Sequence, residues 1–479
     1  MSHIYSIVDY YGIQNVSKCG YCKTKEGHKD HGMWLYYLTV ADYQNLIDRG
    51  WRRSGDYGYK PITHDACCPL YSIRCSASDL KLSKSQKKVI KRFNRFVTHD
   101  ERRKWHGKDG NSSRDNMEVC FEQPVPTNNI ECAQVTISKQ VIQVDSISTM
   151  QKPIQVPLKV EPSGDANQGP RHPGKKKHLR MERAKQRVMA KGKTEQEAIE
   201  ILKAKKRYPK PRTLEDLLND CEKSEKAHNF RIEIVQSSPP NDRFESTFKQ
   251  EYALYLSYQV NVHKDKPEKC NENQFRRFLV NSPLEPQYVG VDNAPIQKFG
   301  SYHQQYWLDD KLIAVGVIDI LPQCLSSVYF FYDPEYSDLI LGTYGSMREL
   351  LLVRELHRFL PSLQYYYMGY YIHSCPKMRY KARISPSYLL CPETYSWQPV
   401  IDCIEKIEQH GYCRLNENLS IKDENDVTNY EPVLILHRHN ILRYSDFKRE
   451  CEKEDTTDMK EYVRSVGRKC AYSMLLFRG

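Results

Sequence analysis

The sequence predicts an α+β protein, on three observations. Between Ser301 and Trp397, β-branched and aromatic runs of strand length surround one long stretch of helical periodicity. Residues 1 to about 106 are dense in aromatics and cysteine and read as a second folded part. The stretch between these parts is first polar and then strongly basic, with no lasting apolar period. SYHQQYWL and KLIAVGVIDIL flank Asp309-Asp310, which suits a tight turn between two strands. SSVYFFY is a third strand, closed by Asp333-Pro334. LGTYGSMRELLLVRELHRFL is a helix whose Met347, Leu350, Leu351, Val353 and Leu356 follow the 3.6-residue period, and LQYYYMGYYI is the next strand. The order strand, strand, strand, helix, strand describes a mixed sheet flanked by helices.

The chain has 479 residues, enough for about three units. Its 39% apolar content is below the ~45–50% of compact domains, so part of it is expected to stay unpacked. The divisions drawn on this basis are a Cys-rich metal- or cluster-binding domain (1–105), a polar flexible linker (106–170), a basic helical or linker segment (171–229) and a patterned C-terminal domain (230–479). No early segment joins a basic start to an apolar run and a small-residue cleavage site, so a cytoplasmic protein is expected. Leu312 to Phe331 is nearly long enough to span a bilayer, but Asp319, Pro322 and Gln323 interrupt it and its pattern suits two strands; a membrane protein is not expected. Without a secretory signal, the 16 Cys suggest reduced thiols, some on metal, rather than a disulfide framework.

Charge is concentrated. Sixteen Lys/Arg and four Glu between Arg171 and Arg212 account for the whole net charge of +12. Such a block suits a polyanion, because neutralising phosphates releases counterions, and it equally suits a solvated linker or a nuclear-import address. A second basic stretch, Lys81 to Lys104, places Leu82, Val89, Phe93, Phe96 and Val97 near helical spacing with Lys and Arg opposite. It reads as a docked helix presenting cations to solvent or to phosphates.

Two constellations could carry chemistry. Cys19-Gly-Tyr-Cys22 and the adjacent pair Cys67-Cys68 make four soft ligands, with His28 and His31 as spare nitrogen donors. Adjacent cysteines differ from the second C-x-x-C of a zinc ribbon, which leaves zinc and an iron–sulfur cluster both open. In CPKMRYKAR, Lys377, Arg379, Lys381 and Arg383 alternate; if extended, all four point to one side and suit a phosphate or carboxylate, or else protect a strand edge. The helix opening at Gly342-Thr-Tyr-Gly345-Ser offers backbone N–H groups to an anion.

SIVDYYG, SKCGYC, HGMWLY, DYQNLIDRGWRRSG and YKPITHDACCPLYSIRC, with SYHQQYWLDDKLIAVGVIDILP, SSVYFFYDPEYS, YYYMGYYIHSCPKMRYKARISPS and LLCPETYSW, closely resemble the eukaryotic arginyl-tRNA–protein transferases. The resemblance covers most of residues 4–97 and about 297–400 and little of the middle. It implies a GNAT-like acyltransferase fold for the C-terminal half. It also implies transfer of arginine from Arg-tRNA to the N-terminal α-amine of proteins beginning with Asp, Glu or oxidised Cys, which marks them for ubiquitin-dependent degradation. The family's metal or iron–sulfur site maps onto Cys19, Cys22, Cys67 and Cys68, with a cluster the leading expectation and zinc the alternative.

The chemistry is aminolysis of an ester. An α-amine of pKa about 7.7–8.0 is mostly protonated at pH 7, so the enzyme must orient it, take a proton and stabilise a tetrahedral oxyanion. Asp319, the lone acid between Leu312 and Phe331, is expected at a desolvated cleft where it engages the amine, or else as a structural carboxylate bonded to strand N–H groups; Gln305 is the second catalytic candidate, and it orients substrate together with His303 and Gln304. The Lys377–Arg383 cations are expected to meet an acidic side chain or the acceptor-end phosphates, and Lys175, Lys176, Lys177, Arg180 and Arg183 to hold tRNA. An acetyl-CoA-dependent acyltransferase and a non-enzymatic tRNA-binding adaptor are the rivals. LILGTYGSMRE departs from a Gly-rich pyrophosphate loop, so acetyl-CoA is not the expected donor.

Overall fold

A computed structural model of the chain describes residues 5–16, 19–24, 27–102, isolated positions between 182 and 197, 212–222, 226–450 and 456–479. The expected strands and helix are present. β8 (Lys298–Leu308) and β9 (Lys311–Ile320) form a hairpin. Its two turn residues, Asp309 and Asp310, both have positive φ, the conformation that matches the twist of the flanking strands. β10 (Cys324–Tyr332), helix Leu341–His357 and β11 (Tyr365–Tyr371) follow in order. β10 and β11 are parallel but pair only over Cys324–Ser326 and Tyr365–Tyr367.

These strands belong to a nine-stranded mixed sheet. Its path adds β6 (Phe230–Ser238) outside β8 and, beyond β11, β5 (Tyr71–Ser76), β12 (Ser387–Leu390) and β13 (Trp397–Pro399); the short β7 (Gln287–Tyr288) lies along β8. A second sheet of seven strands runs in the order β15 (Asn440–Arg443), β14 (Leu434–His437), β16 (Leu475–Arg478), β1 (Ile7–Val16), β2 (His28–Tyr37), β4 (Tyr57–Pro61), β3 (Arg52–Ser54). Both sheets mix strands from the two ends of the chain. β5 pairs antiparallel with β11 and β12, and β16 lies parallel to β1.

The division between 1–105 and 230–479 is therefore not a division of the core. Outside the interval 142–213, the described residues on both sides of it form one compact unit. Composition could not show that the chain on either side of the polar interval shares sheets, because strand partners distant in sequence leave no local pattern.

The helices cover the sheets for reasons readable locally. α1 (Val40–Ile47) begins at Thr39, whose hydroxyl accepts from Asp42 N–H. α2 (Lys84–His99) begins with a capping box, Ser83 and Gln86 bonding reciprocally, and buries Val89, Ile90, Phe93, Phe96 and Val97 while Lys84, Lys88, Lys91 and Arg95 are exposed. α3 (Asp242–Tyr258) packs on β9 and β10, and α4 (Leu341–His357) is buried almost all round. α5 (Thr456–Ser473) runs against α1 and β1. Among the described residues no helix is long and apolar enough to cross a membrane.

The sheets are joined by a buried ion pair. Arg53 on β3 donates from Nε and Nη2 to the two oxygens of Asp319 on β9, at 2.8 and 2.6 Å. Their side chains are 1% and 0% exposed. Ser301 Oγ donates to Asp319 Oδ1 at 2.6 Å, and Arg53 Nη1 donates to the carbonyls of Gly55 and Asn281. No cleft reaches Asp319 among the described residues, so the expected role of engaging an amine does not fit its position. The lone acid in an apolar run is there because an arginine from the other sheet needs it. Asp319→Asn leaves that guanidinium buried without its counter-charge, and should cost about 3–5 kcal/mol in urea denaturation.

Glu349 on α4 is another fully buried acid packed against the nine-stranded sheet. It accepts from Tyr366 Oη at 2.5 Å, and burial pushes its carboxyl up to about 7. A carboxyl that holds its proton more tightly when folded costs nothing at low pH, where both states are protonated. As pH rises from about 4.5 to 7 the unfolded chain ionises and gains, so stability is lost across that window and levels off above it. Denaturation of Glu349→Gln and the parent at pH 5 and pH 8 should therefore show the variant gaining relative to the parent at the higher pH.

Candidate active site and metal centre

The four predicted cysteine ligands come together. Cys19 and Cys22 bracket a turn after β1, and Cys67 and Cys68 precede β5; their four sulfurs all lie within 4.8 Å of one another. Cys22 and Cys67 Sγ are 3.6 Å apart, and Tyr21 N–H donates to Cys19 Sγ. The Thr24 hydroxyl draws the Cys22 thiol down to about 6, whereas burial pushes Cys68 up to about 12. A dication would pull all four into the thiolate form. The sulfurs fit a soft metal, being convergent and half-shielded, with Cys19 and Cys68 buried and Cys22 and Cys67 exposed. Cys19 and Cys68 pack with Tyr59, Leu70, Tyr370 and Met378, so the thiol site braces strands from both parts of the chain. His28 and His31, read from sequence as spare donors, stand elsewhere: His28 is 3.3 Å from Asp30, and His31 bonds Tyr10.

The other predicted site residues are not gathered at a cleft. His303 and Gln305 are fully buried, and both bind Glu251 of α3. His303 Nδ1 is 2.5 Å from one oxygen, and Gln305 Nε2 donates to the other at 2.7 Å. Gln305 Nε2 also donates to Thr247, and Gln304, 3% exposed, accepts from Tyr306 Oη. His303 and Gln305 satisfy the packing of α3 on the sheet and Gln304 is buried against Tyr306, which corrects the expected contact of all three with substrate. An apolar-free run such as HQQ gives no local sign that a helix will cover it.

Lys377, Arg379, Lys381 and Arg383 are not extended either. Residues 379–383 form a 3₁₀ turn, which points Lys381 inward, where it is 2% exposed and donates to Tyr370 O at 2.7 Å. Lys377, Arg379 and Arg383 are exposed, and Arg379 Nε donates to His373 O. The single-faced row of four cations is thus replaced by three outward cations and one tie. At the start of α4, Thr343, Ser346, Tyr380 and Arg383 enclose a space of only about 10 Å³, room for one water and not for a phosphate. Lys175, Lys176, Lys177, Arg180 and Arg183 lie outside the described residues.

A larger cavity, about 300 Å³, lies where the two sheets meet. His31 of β2, Lys60 of β4, Arg49 after α1, Tyr370 of β11, Tyr395 before β13, and Glu461 and Arg464 of α5 line it, with His64 at its exposed rim. Three lining cations face one lining carboxylate. Arg49 is committed to Asp423 through two bonds of 3.0 and 2.8 Å, and its guanidinium lies 3.9 Å from the Tyr395 ring centre. Lys60 Nζ donates to Tyr395 Oη at 2.8 Å and to Ser465 O at 3.0 Å. Burial lowers the Lys60 pKa, while the nearby Lys60 and Arg49 charges, outweighing burial, lower that of the Tyr395 phenol. Tyr395 sits at φ +53°, in a turn held by Cys391 N–H donating to Ser396 O and Tyr395 N–H donating to Cys391 O. Strained non-glycine backbone of this kind persists where surroundings fix it, and it concentrates at sites. Gly467 in α5 has φ +77°, and a Cβ there would lie 2.5 Å from Arg49 Nε; only glycine lets the guanidinium pass.

Cations and phenol rings around a solvent-reached hollow suit a transferase that works on an anionic, ring-bearing donor such as a nucleotide end. Comparison with known proteins narrows this class. Models described as the N terminus and the C terminus of arginine-tRNA-protein transferase match residues 17–88 and 250–391. The chain is 41% identical to arginyl-tRNA–protein transferase 1 of Drosophila melanogaster, covering 98% of this chain and 99% of that one. It is 36% identical to arginyl-tRNA–protein transferase 2 of Arabidopsis thaliana, covering 81% and 74%. Over 104 residues, 22% of this chain and 41% of the other, it is 34% identical to an aspartate/glutamate leucyltransferase of Campylobacter jejuni. The chain belongs to the arginyl-tRNA–protein transferase family and is an aminoacyltransferase.

Sequence reasoning missed Lys60, Tyr395, Arg49, Glu461 and Arg464. Lys60 and Tyr395 lie inside YKPITHD and LLCPETYSW, two of the segments that carried the family resemblance, so the signal was present but not resolved to residues. Metal removal should expose the brace between the Cys quartet and the cavity wall. A strong chelator should lower the melting temperature of the purified protein and slow arginine transfer, and restoring the metal should recover both.

Proposed function

We propose that the cavity between the sheets is where arginine passes from Arg-tRNA to the α-amine of a protein that begins with Asp, Glu or oxidised Cys. The observation that carries this reading is the set of cations around the hollow. An acidic first residue needs a cation for its side chain, and Lys60 keeps one N–H beyond its two protein acceptors. Arg464 is exposed at the wall and adds a second positive charge. Tyr412, half-buried in the lining, offers a ring face to the terminal adenine of the donor. The leucyltransferase that resembles part of this chain carries aspartate and glutamate in its name, which supports an acidic acceptor here as well. The arginine added in this way would mark its bearer for ubiquitin-dependent degradation.

The strand order and the divergence of β10 from β11 support a GNAT-like arrangement for the C-terminal half. Tyr370 lies on β11 beyond its pairing with β10, so the splayed end of that strand reaches the cavity. The exposed cations of α2 and the Arg171–Arg212 block are suited to the tRNA backbone, and the block would also serve nuclear import of an otherwise cytoplasmic enzyme. For the Cys quartet, sulfurs this close support one tetrahedral ion. Zn–S bonds of about 2.3 Å imply sulfurs near 3.8 Å apart. Zinc is then the resident metal, and a broad visible absorption band in an anaerobic preparation would assign an iron–sulfur cluster instead. In either case the metal fixes the turn at 19–22 against 67–68 and so the strands that carry Lys60 and Ser72.

Labelled Arg-tRNA offered with peptides beginning Asp, Glu or Gly tests the reading. Transfer should favour Asp and Glu. Lys60→Met should lower kcat/KM for the acidic peptides by roughly 10–100-fold, the equivalent of a lost charge-assisted bond, with little effect on the Gly peptide. Binding of tRNA with no transfer to any peptide would support the adaptor reading.

A further inference from the structure

We infer that His31 is the general base for the attacking amine, with Tyr10 and Glu461 as its positioning residues. The inference rests on the cavity being the acceptor site. In the antiparallel pair β2–β4, His31 stands directly opposite Lys60. Opposed residues project to the same face with Cβ atoms about 4.5–5.5 Å apart, and both side chains line the cavity. An N-terminal Asp or Glu carries its carboxylate and its α-amine on one residue. A carboxylate held by Lys60 therefore brings the amine of the same residue toward the imidazole across the ladder.

The tautomer is also set. His31 Nδ1 is 2.7 Å from Tyr10 Oη. Burial, together with the charges of Glu461 and Asp458 on α5, keeps the Tyr10 hydroxyl protonated and draws its proton toward Glu461. The phenol oxygen then accepts from Nδ1–H, which leaves the Nε2 lone pair for the cavity. Tyr10 on β1, Lys60 on β4 and Trp51, whose ring centre is 6.4 Å away, surround the imidazole.

Burial first, and the Lys60 charge second, hold the His31 pKa down to about 4, so the ring is neutral at pH 7. An acidic acceptor neutralises Lys60 and removes the second of these effects. The substrate's own side chain strengthens the base that serves its amine, and a Gly terminus does not. In the step itself, the free amine forms the C–N bond to the arginyl carbonyl carbon. His31 Nε2 takes the proton that the nitrogen sheds, the ester C–O bond breaks, and the same proton passes to the departing ribose oxygen.

Steady-state transfer by full-length His31→Ala and Tyr10→Phe, with Asp- and Gly-initiated peptides, tests this. His31→Ala should lose about 10²–10⁴-fold in kcat with the peptide KM changed less than about threefold, the range general-base catalysis supplies. Added imidazole should restore part of that kcat, because it fills the space the side chain leaves. Tyr10→Phe should lower kcat less, and the parent's preference for Asp over Gly should be visible in kcat as well as KM. Folded His31→Ala with parent-like kcat overturns the inference, as does a loss that imidazole leaves untouched. A parent enzyme that transfers arginine to no acidic peptide would instead overturn the reading of the cavity.

Discussion

The pairing of Arg53 with Asp319 is the constraint on which the rest of the molecule depends. It brings two full charges into a region with almost no solvent, and each is tolerable only because the other is there. One belongs to the seven-stranded sheet and the other to the nine-stranded sheet, so the pair specifies how the sheets meet as well as holding them together. The hollow between His31, Lys60 and Tyr395 exists only in that arrangement, since its walls come from both sheets and from α5.

The site divides its labour by chemistry. The four thiols stiffen a turn and a strand entry, and Leu70 and Tyr370 pass that stiffness to the cavity wall. Arg49, already neutralised by Asp423, contributes shape and a cation face for Tyr395 more than free charge. Lys60 is left as the poorly solvated charge that an anion would relieve. In the proposed reading, selectivity for an anionic residue and the means of deprotonating its amine fall to opposed positions of a single strand pair, His31 and Lys60.

Much of the fold was legible in the sequence because the signals were local. The Asp309-Asp310 turn, the period of α4, the apolar stripe of α2 and the C-x-x-C turn each declare themselves within a few residues. The candidate site was less legible. Asp319 stood out as an acid in an apolar run, but a sequence does not say whether such an acid faces a cleft or an arginine 266 residues earlier. The alternating cations at 377–383 suggested a strand, and a 3₁₀ turn changed which of them faced outward. Lys60 was unremarkable singly and His31 was read only as a spare metal donor; both acquire their present meaning through cross-strand register.

The lateral union of β1 with β16 places neighbours in space that are almost the whole chain apart. At ribosomal speeds of about 5–20 residues per second, β1 waits tens of seconds for that neighbour. Throughout the wait its open edge is a hazard for misassociation. The cavity wall supplied by Glu461 and Arg464 is likewise missing until α5 has been made, so the hollow closes late in synthesis.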